Sequence, residues 1–103
     1  MPNIKVVQAW QFGAHKYNLY FSEMVRLDGH DATTNHRAQE IYLDPTLPES
    51  RKVLALVHEI VHIVALVWKM VISEDDIDRI AEGFIQLLNN LDIKLDWSMI
   101  ETK

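Results

Sequence analysis

The sequence predicts an α+β fold, with a short antiparallel N-terminal sheet packed on two core helices. Three observations carry that expectation. The first half holds short segments rich in β-branched and aromatic residues. The second half holds two stretches with helical spacing of apolar residues. The 103 residues, 49% of them hydrophobic, suffice for one core and leave no room for a second. A single domain over residues 1–103 is therefore expected.

Taken in order, Ile4 to Trp10 reads as a first strand and Lys16 to Phe21 as a second, joined through Gly13. Asp28 to Arg37, with Gly29 and Asn35, reads as a loop. A third strand, Gln39 to Leu43, stops at Asp44-Pro45. Thr46-Leu47-Pro48-Glu49 then has the form of a capping box, opening a helix from about Leu47 to about Met70. Its middle is apolar nearly all round, as in a helix buried on most faces. Ser73 followed by three acids starts a second helix. On it Ile77, Ile80, Ala81, Phe84, Leu87, Leu88 and Leu91 form an inward face. Ile93, Leu95 and Trp97 alternate behind it, as a short last strand or a docked tail.

Composition excludes several chemistries. Without Cys there are no disulfides, thiolate-held zinc, iron–sulfur clusters or thiol nucleophiles. Fifteen acids against ten scattered Lys and Arg give a charge of −5, which argues against a nucleic-acid partner. The N-terminus lacks a basic region followed by an apolar core, so no signal peptide is expected. The apolar run Val53 to Ile72 is long enough to span a bilayer, but it contains His58, Glu59, His62 and Lys69. A soluble helix, no membrane partner and a cytoplasmic protein are the expectation.

That run also carries the chemistry. His58-Glu59-Ile60-Val61-His62 reads H-E-x-x-H within the first long helix. Residues four apart share a helix face, so both imidazoles can reach one ion. Glu59, one position on, would stand beside an open coordination position, where a carboxylate can take a proton from water and later deliver it to a leaving amine. Two His and a Glu among Leu56, Val57, Ile60, Val61, Ile63 and Val64 need partners, and one metal ion would serve all three.

A catalytic zinc wants a third protein ligand. Downstream, Ala65 stands where the longer H-E-x-x-H-x-x-G-x-x-H motif would have its Gly and no His stands at its third-ligand offset, so a carboxylate from the next helix is expected. Candidates are Glu74, Asp75, Asp76, Asp78 and Glu82. At about 100° per residue with Ile77 at zero, the apolar arc centres at about 350°, with Glu74 at about 60°, Asp78 at about 100° and Glu82 at about 140°. Glu74 thus lies nearest the inward face of these three, with Glu82 the next choice, and Asp78 could accept from the free ring nitrogen of a ligating His.

H-E-I-V-H on such a helix, followed by Glu74-Asp75-Asp76-Ile77-Asp78-Arg79-Ile80-Ala81, resembles gluzincin-type zinc peptidases. With Ile41-Tyr42-Leu43-Asp44 before the helix, it is most similar to the small ImmA/IrrE-like metallopeptidase domains of phages and mobile elements. The likeness covers about residues 39–91; Ile77 departs from it, standing where those domains usually carry a small residue. It implies a minimal zincin-like fold, a zinc cofactor held by His58, His62 and Glu74, Glu59 as general base, and Asp78 behind a ligand. The function implied is a zinc-dependent peptidase acting on a protein or peptide. The alternative is a zinc-binding interaction module of the same fold with little or no turnover, motivated by the small size. Strand Gln39–Leu43 is a candidate edge for an extended peptide. Tyr42, His36, His30 and Arg79 are candidate oxyanion donors, and His15, His30 and His36 otherwise read as exposed loop residues.

Overall fold

The computed structural model describes residues 3–103. The elements run β1 (Asn3–Lys5), β2 (Ala9–Phe12), β3 (His15–Phe21), α1 (Glu23–Leu27), β4 (Ala32–Asn35), β5 (Glu40–Leu43), α2 (Glu49–Val67), α3 (Glu74–Asn90) and β6 (Lys94–Asp96). This is the α+β class, with α2 and α3 packed on each other and α2 against the larger sheet. Among the described residues, no helix is long and apolar enough to cross a membrane.

The larger sheet has the order β2-β3-β5-β4. Its outer pairs are antiparallel, but β3 and β5 run parallel, so the sheet is mixed rather than antiparallel throughout. The chain leaves β3 through α1 and β4 before returning as β5, which permits that parallel pairing. Leu19, Ile41 and Leu43 of the central strands have no exposed surface and pack with Leu56 and Ile63 of α2. These contacts hold α2 across one face of the sheet.

Several expectations change in detail. The run Ile4 to Trp10 is two strands. β1 pairs in parallel with β6, Val6 N–H continues to Asp96 O at 2.8 Å, and β2 then turns to β3. The segment Asp28 to Arg37 contains strand β4, whose Thr33 and Thr34 suit a pleated edge. Helix α1 has only five residues, too few for a periodicity to be visible. Gly13 opens the β2–β3 turn with φ +59°, and a Cβ there would press on Val67 at 3.3 Å.

The capping box does not form. Thr46 gives its backbone N–H and its hydroxyl to Asp44 at 2.9 and 2.7 Å, and Glu49 accepts from the Trp97 indole instead. Burial raises the Asp44 carboxyl, but the two Thr46 bonds, aided by Arg26 and Arg51, outweigh it and hold the group below the ordinary carboxylate range. Helix α2 therefore starts at Glu49, after an uncapped Pro48. At the start of α3, Ser73 caps as expected, its hydroxyl accepting from Asp76 N–H at 3.1 Å.

Helices α1, α2 and α3 stop in the same way. Met70 N–H reaches Ala65 O and Lys69 N–H reaches Leu66 O; Ile93 and Asp92 repeat this at Leu88 and Asn89, as do His30 and Gly29 at Val25 and Arg26. The residue in the left-handed conformation is Gly29 after α1, but Lys69 after α2 and Asp92 after α3. Neither α2 nor α3 is covered as fully as its apolar width suggests. On α2, Val53, Leu56, Val57 and Ile63 are buried, while Leu66 is exposed. On α3 only Ile77 and Ala81 are buried; Ile80, Phe84 and Leu87, and Leu91 just past its end, are exposed because α3 rests on α2 along a single strip. Asp92→Gly should stabilise the fold by about 0.5–1 kcal/mol by relieving the left-handed side chain. The check is the urea midpoint at unchanged slope.

Candidate metal centre

The two imidazoles come from consecutive turns of α2, and α3 supplies the acids opposite them. Val53 and Val57 of α2 pack on Ala81 of α3, with Val61, Ile85 and Leu88 alongside. Ala81 is the smallest side chain that can fill that contact, and it lets the helices approach where Glu74 must reach His58 and His62. The Ser73 cap fixes the first turn of α3, which carries Glu74.

The resulting geometry is convergent. His62 Nε2 lies 3.1 Å from His58 Nε2. Glu74 sets Oε1 3.0 Å from His62 Nε2 and Oε2 3.3 Å from His58 Nε2. Donor atoms of these three residues lie within 4.8 Å of one another, the grouping expected around one ion. The edge of a tetrahedron with bonds of about 2.0–2.1 Å is about 3.3 Å, so the separations fit a common zinc-sized cation.

The donor chemistry agrees. His58 Nδ1 lies 2.9 Å from Asp78 Oδ1. An ionised carboxylate only accepts, so Nδ1 carries the proton and a neutral His58 turns a bare Nε2 lone pair to the centre. That lone pair faces the Glu74 carboxylate and the His62 ring. Lone pairs at such distances repel unless extra protons or a cation lie between them, and one divalent cation satisfies all three groups together. Asp78 has the place of a group that orients a ligating imidazole.

Glu59 stands beside the cluster. Thr34 Oγ1 of β4 donates to Glu59 Oε2 at 3.0 Å, and Glu59 lines a cleft together with His58, Glu74 and Asp78. The structure thus brings together His58, Glu59, His62, Glu74 and Asp78. Glu82 is exposed and outside the grouping, and Asp76 is engaged with Arg79 at 2.8 Å.

The oxyanion candidates separate. The Tyr42 hydroxyl bonds to Glu40, which itself holds Lys103. Arg79 is paired with Asp76. His30 lines the cleft beside Glu59, and His36 lines a second cleft beside His62. His15 approaches Gln39, remote from the cluster in the sheet. Thr34 was not visible in the sequence, since its segment reads as a loop; the adjacent β-branched pair Thr33-Thr34 was the available signal. Strand β5 lies inside the sheet, so β4 rather than Gln39–Leu43 is the free edge next to the site.

Comparison of the chain with protein-family models, curated proteins and solved structures returned no match.

Added Zn²⁺ should raise the thermal midpoint of the metal-free protein, and Glu74→Ala should remove most of that rise while Glu82→Ala keeps it. Asp78→Ala should weaken Zn²⁺ binding by about 10–100-fold, as loss of a ligand-orienting carboxylate does, read by competition with a chelating dye.

Proposed function

We propose that this chain is a small zinc-dependent peptidase of the gluzincin type, similar to the ImmA/IrrE-like domains whose motif its sequence resembles. The observation that supports this reading is the meeting of His58 Nε2, His62 Nε2 and the Glu74 carboxylate beside Glu59. A zinc ion held by those three groups would act as a Lewis acid, lowering the pKa of a water and polarising the scissile carbonyl.

The chain's own residues supply the rest. Strand β4 offers its free edge to the substrate. Asp44 N–H bonds to Asp31 O, and the antiparallel register then turns the backbone groups of Thr33 and Asn35 toward β5 and those of Ala32 and Thr34 outward. An extended peptide can hydrogen-bond to those outward groups and lie across the cluster. Thr34 holds one oxygen of Glu59 and leaves the other open. That oxygen accepts the proton of the attacking water. The same carboxyl then gives the proton to the amine nitrogen as the peptide bond breaks.

A second reading is a zinc-binding module without turnover. It draws on an apolar groove of about 520 Å³ between α2, α3 and β1, where Ile80 and Phe84 are exposed, away from the metal cluster. The Glu59→Gln variant separates the two. The peptidase reading expects hydrolysis of a peptide pool to fall by about 10²–10⁴-fold with Zn²⁺ binding retained. Hydrolysis unchanged by that substitution contradicts the mechanism.

A further inference from the structure

Two clefts open on either side of the metal cluster, and they differ in chemistry. The first, of about 650 Å³, lies toward the start of α2 and is polar, with His30, Asp31, Arg51, Glu74 and Asp78 on its walls. The second, of about 640 Å³, lies beyond His62 and is bordered by His36, Leu66, Lys69, Met70, Val71 and Ile72. Among the described residues, no carboxylate lines it. Leu66, Met70 and Val71 are exposed there, beside the helix stop at Lys69 that turns the chain toward α3. Apolar side chains gathered in a cleft with a few polar groups are the usual lining of a ligand pocket.

His36 gives this cleft a fixed donor. Its Nδ1 lies 3.1 Å from the hydroxyl of Tyr17, which is 2% exposed. Burial pushes the Tyr17 phenol above its ordinary value, so it stays protonated. Among the described residues, His36 is the hydroxyl's partner. With Tyr17 as the donor of this bond, Nδ1 accepts, and the proton of a neutral His36 ring sits on Nε2.

Strand β4 sets the direction. It runs from Ala32, in the wall of the first cleft, toward His36, in the wall of the second. A peptide added antiparallel to its free edge runs the opposite way and enters over the second cleft. Residues before the scissile bond then lie by His36 and Met70, and residues after it lie by His30 and Arg51.

We propose that the cleft beyond His62 is the specificity pocket of the site: it takes a large apolar side chain on the N-terminal side of the scissile bond, with His36 Nε2–H donating to a backbone carbonyl of the bound peptide. Lys69 in its wall disfavours a basic residue there. This rests on the peptidase reading for its position relative to the cleaved bond.

The test uses zinc-loaded Glu59→Gln protein and labelled peptides that differ only in Phe or Lys at that position, with binding read by fluorescence anisotropy. The Phe peptide should bind about ten- to a hundredfold more tightly. Met70→Asp in the same background should remove most of that difference, and His36→Ala should weaken both peptides, with the Zn²⁺-induced thermal shift kept in each. Equal binding of the two peptides, binding of neither, or a preference untouched by both Met70→Asp and His36→Ala overturns the pocket. In parallel, the wild-type zinc protein is given the same peptides and the products are mapped by mass. Cleavage on the C-terminal side of Phe supports the assignment; cleavage only on its N-terminal side overturns it. Selective binding with no cleavage by the wild type contradicts turnover while leaving the pocket in place. Cleavage without selectivity contradicts the pocket alone.

Discussion

The site depends on how closely α3 approaches α2. The imidazoles of His58 and His62 are set by one helix, but the carboxylate that joins them comes from another, and nothing local to either helix brings the two together. That is done by the contact of Val53 and Val57 with Ala81. Ala81 has no exposed surface, so a larger side chain would have to displace a helix or strain its neighbours. The Ser73 cap then fixes where the first turn of α3 begins, and with it the height of Glu74 against His58 and His62. Asp78, one turn further on, reaches the far side of the same His58 ring. Two carboxylates a turn apart thus address two imidazoles a turn apart, which is a consequence of antiparallel helices sharing a 3.6-residue repeat.

The parts of this arrangement that were legible in the sequence are those set by spacing along one element. The i, i+4 relation of His58 and His62 and the position of Glu59 follow from the helix repeat alone. Glu74 was harder. A helical wheel ranked it among several acids of α3, and the likeness to gluzincins favoured it, but a carboxylate just after a Ser cap is also ordinary helix-end chemistry. Contact across the helix pair distinguishes these roles, and contact is a tertiary property.

What escaped the sequence shares that character. Ile4 to Trp10 is one run of β-prone residues, yet β1 and β2 have different partners, because propensity reports a backbone conformation and not a neighbour. Strand β4 is four residues long between turn residues, and it exists through its pairing with β5. Thr46 had a choice between capping α2 and serving Asp44, and the buried carboxylate took it. The apolar width of α3 was correct as chemistry, but it does not say how much of that width a neighbour covers. Ile80, Phe84, Leu87 and Leu91 remain on the surface for that reason.

The proposed function requires a divalent cation shared by His58, His62 and Glu74. Crystals of the zinc-loaded protein, measured on both sides of the zinc absorption edge, test this most directly. The expected map has one anomalous peak bonded to His58 Nε2, His62 Nε2 and a Glu74 oxygen at about 2.0–2.2 Å. An anomalous map with no peak between the two rings, or a peak completed by Glu82 with Glu74 turned to solvent, would contradict it.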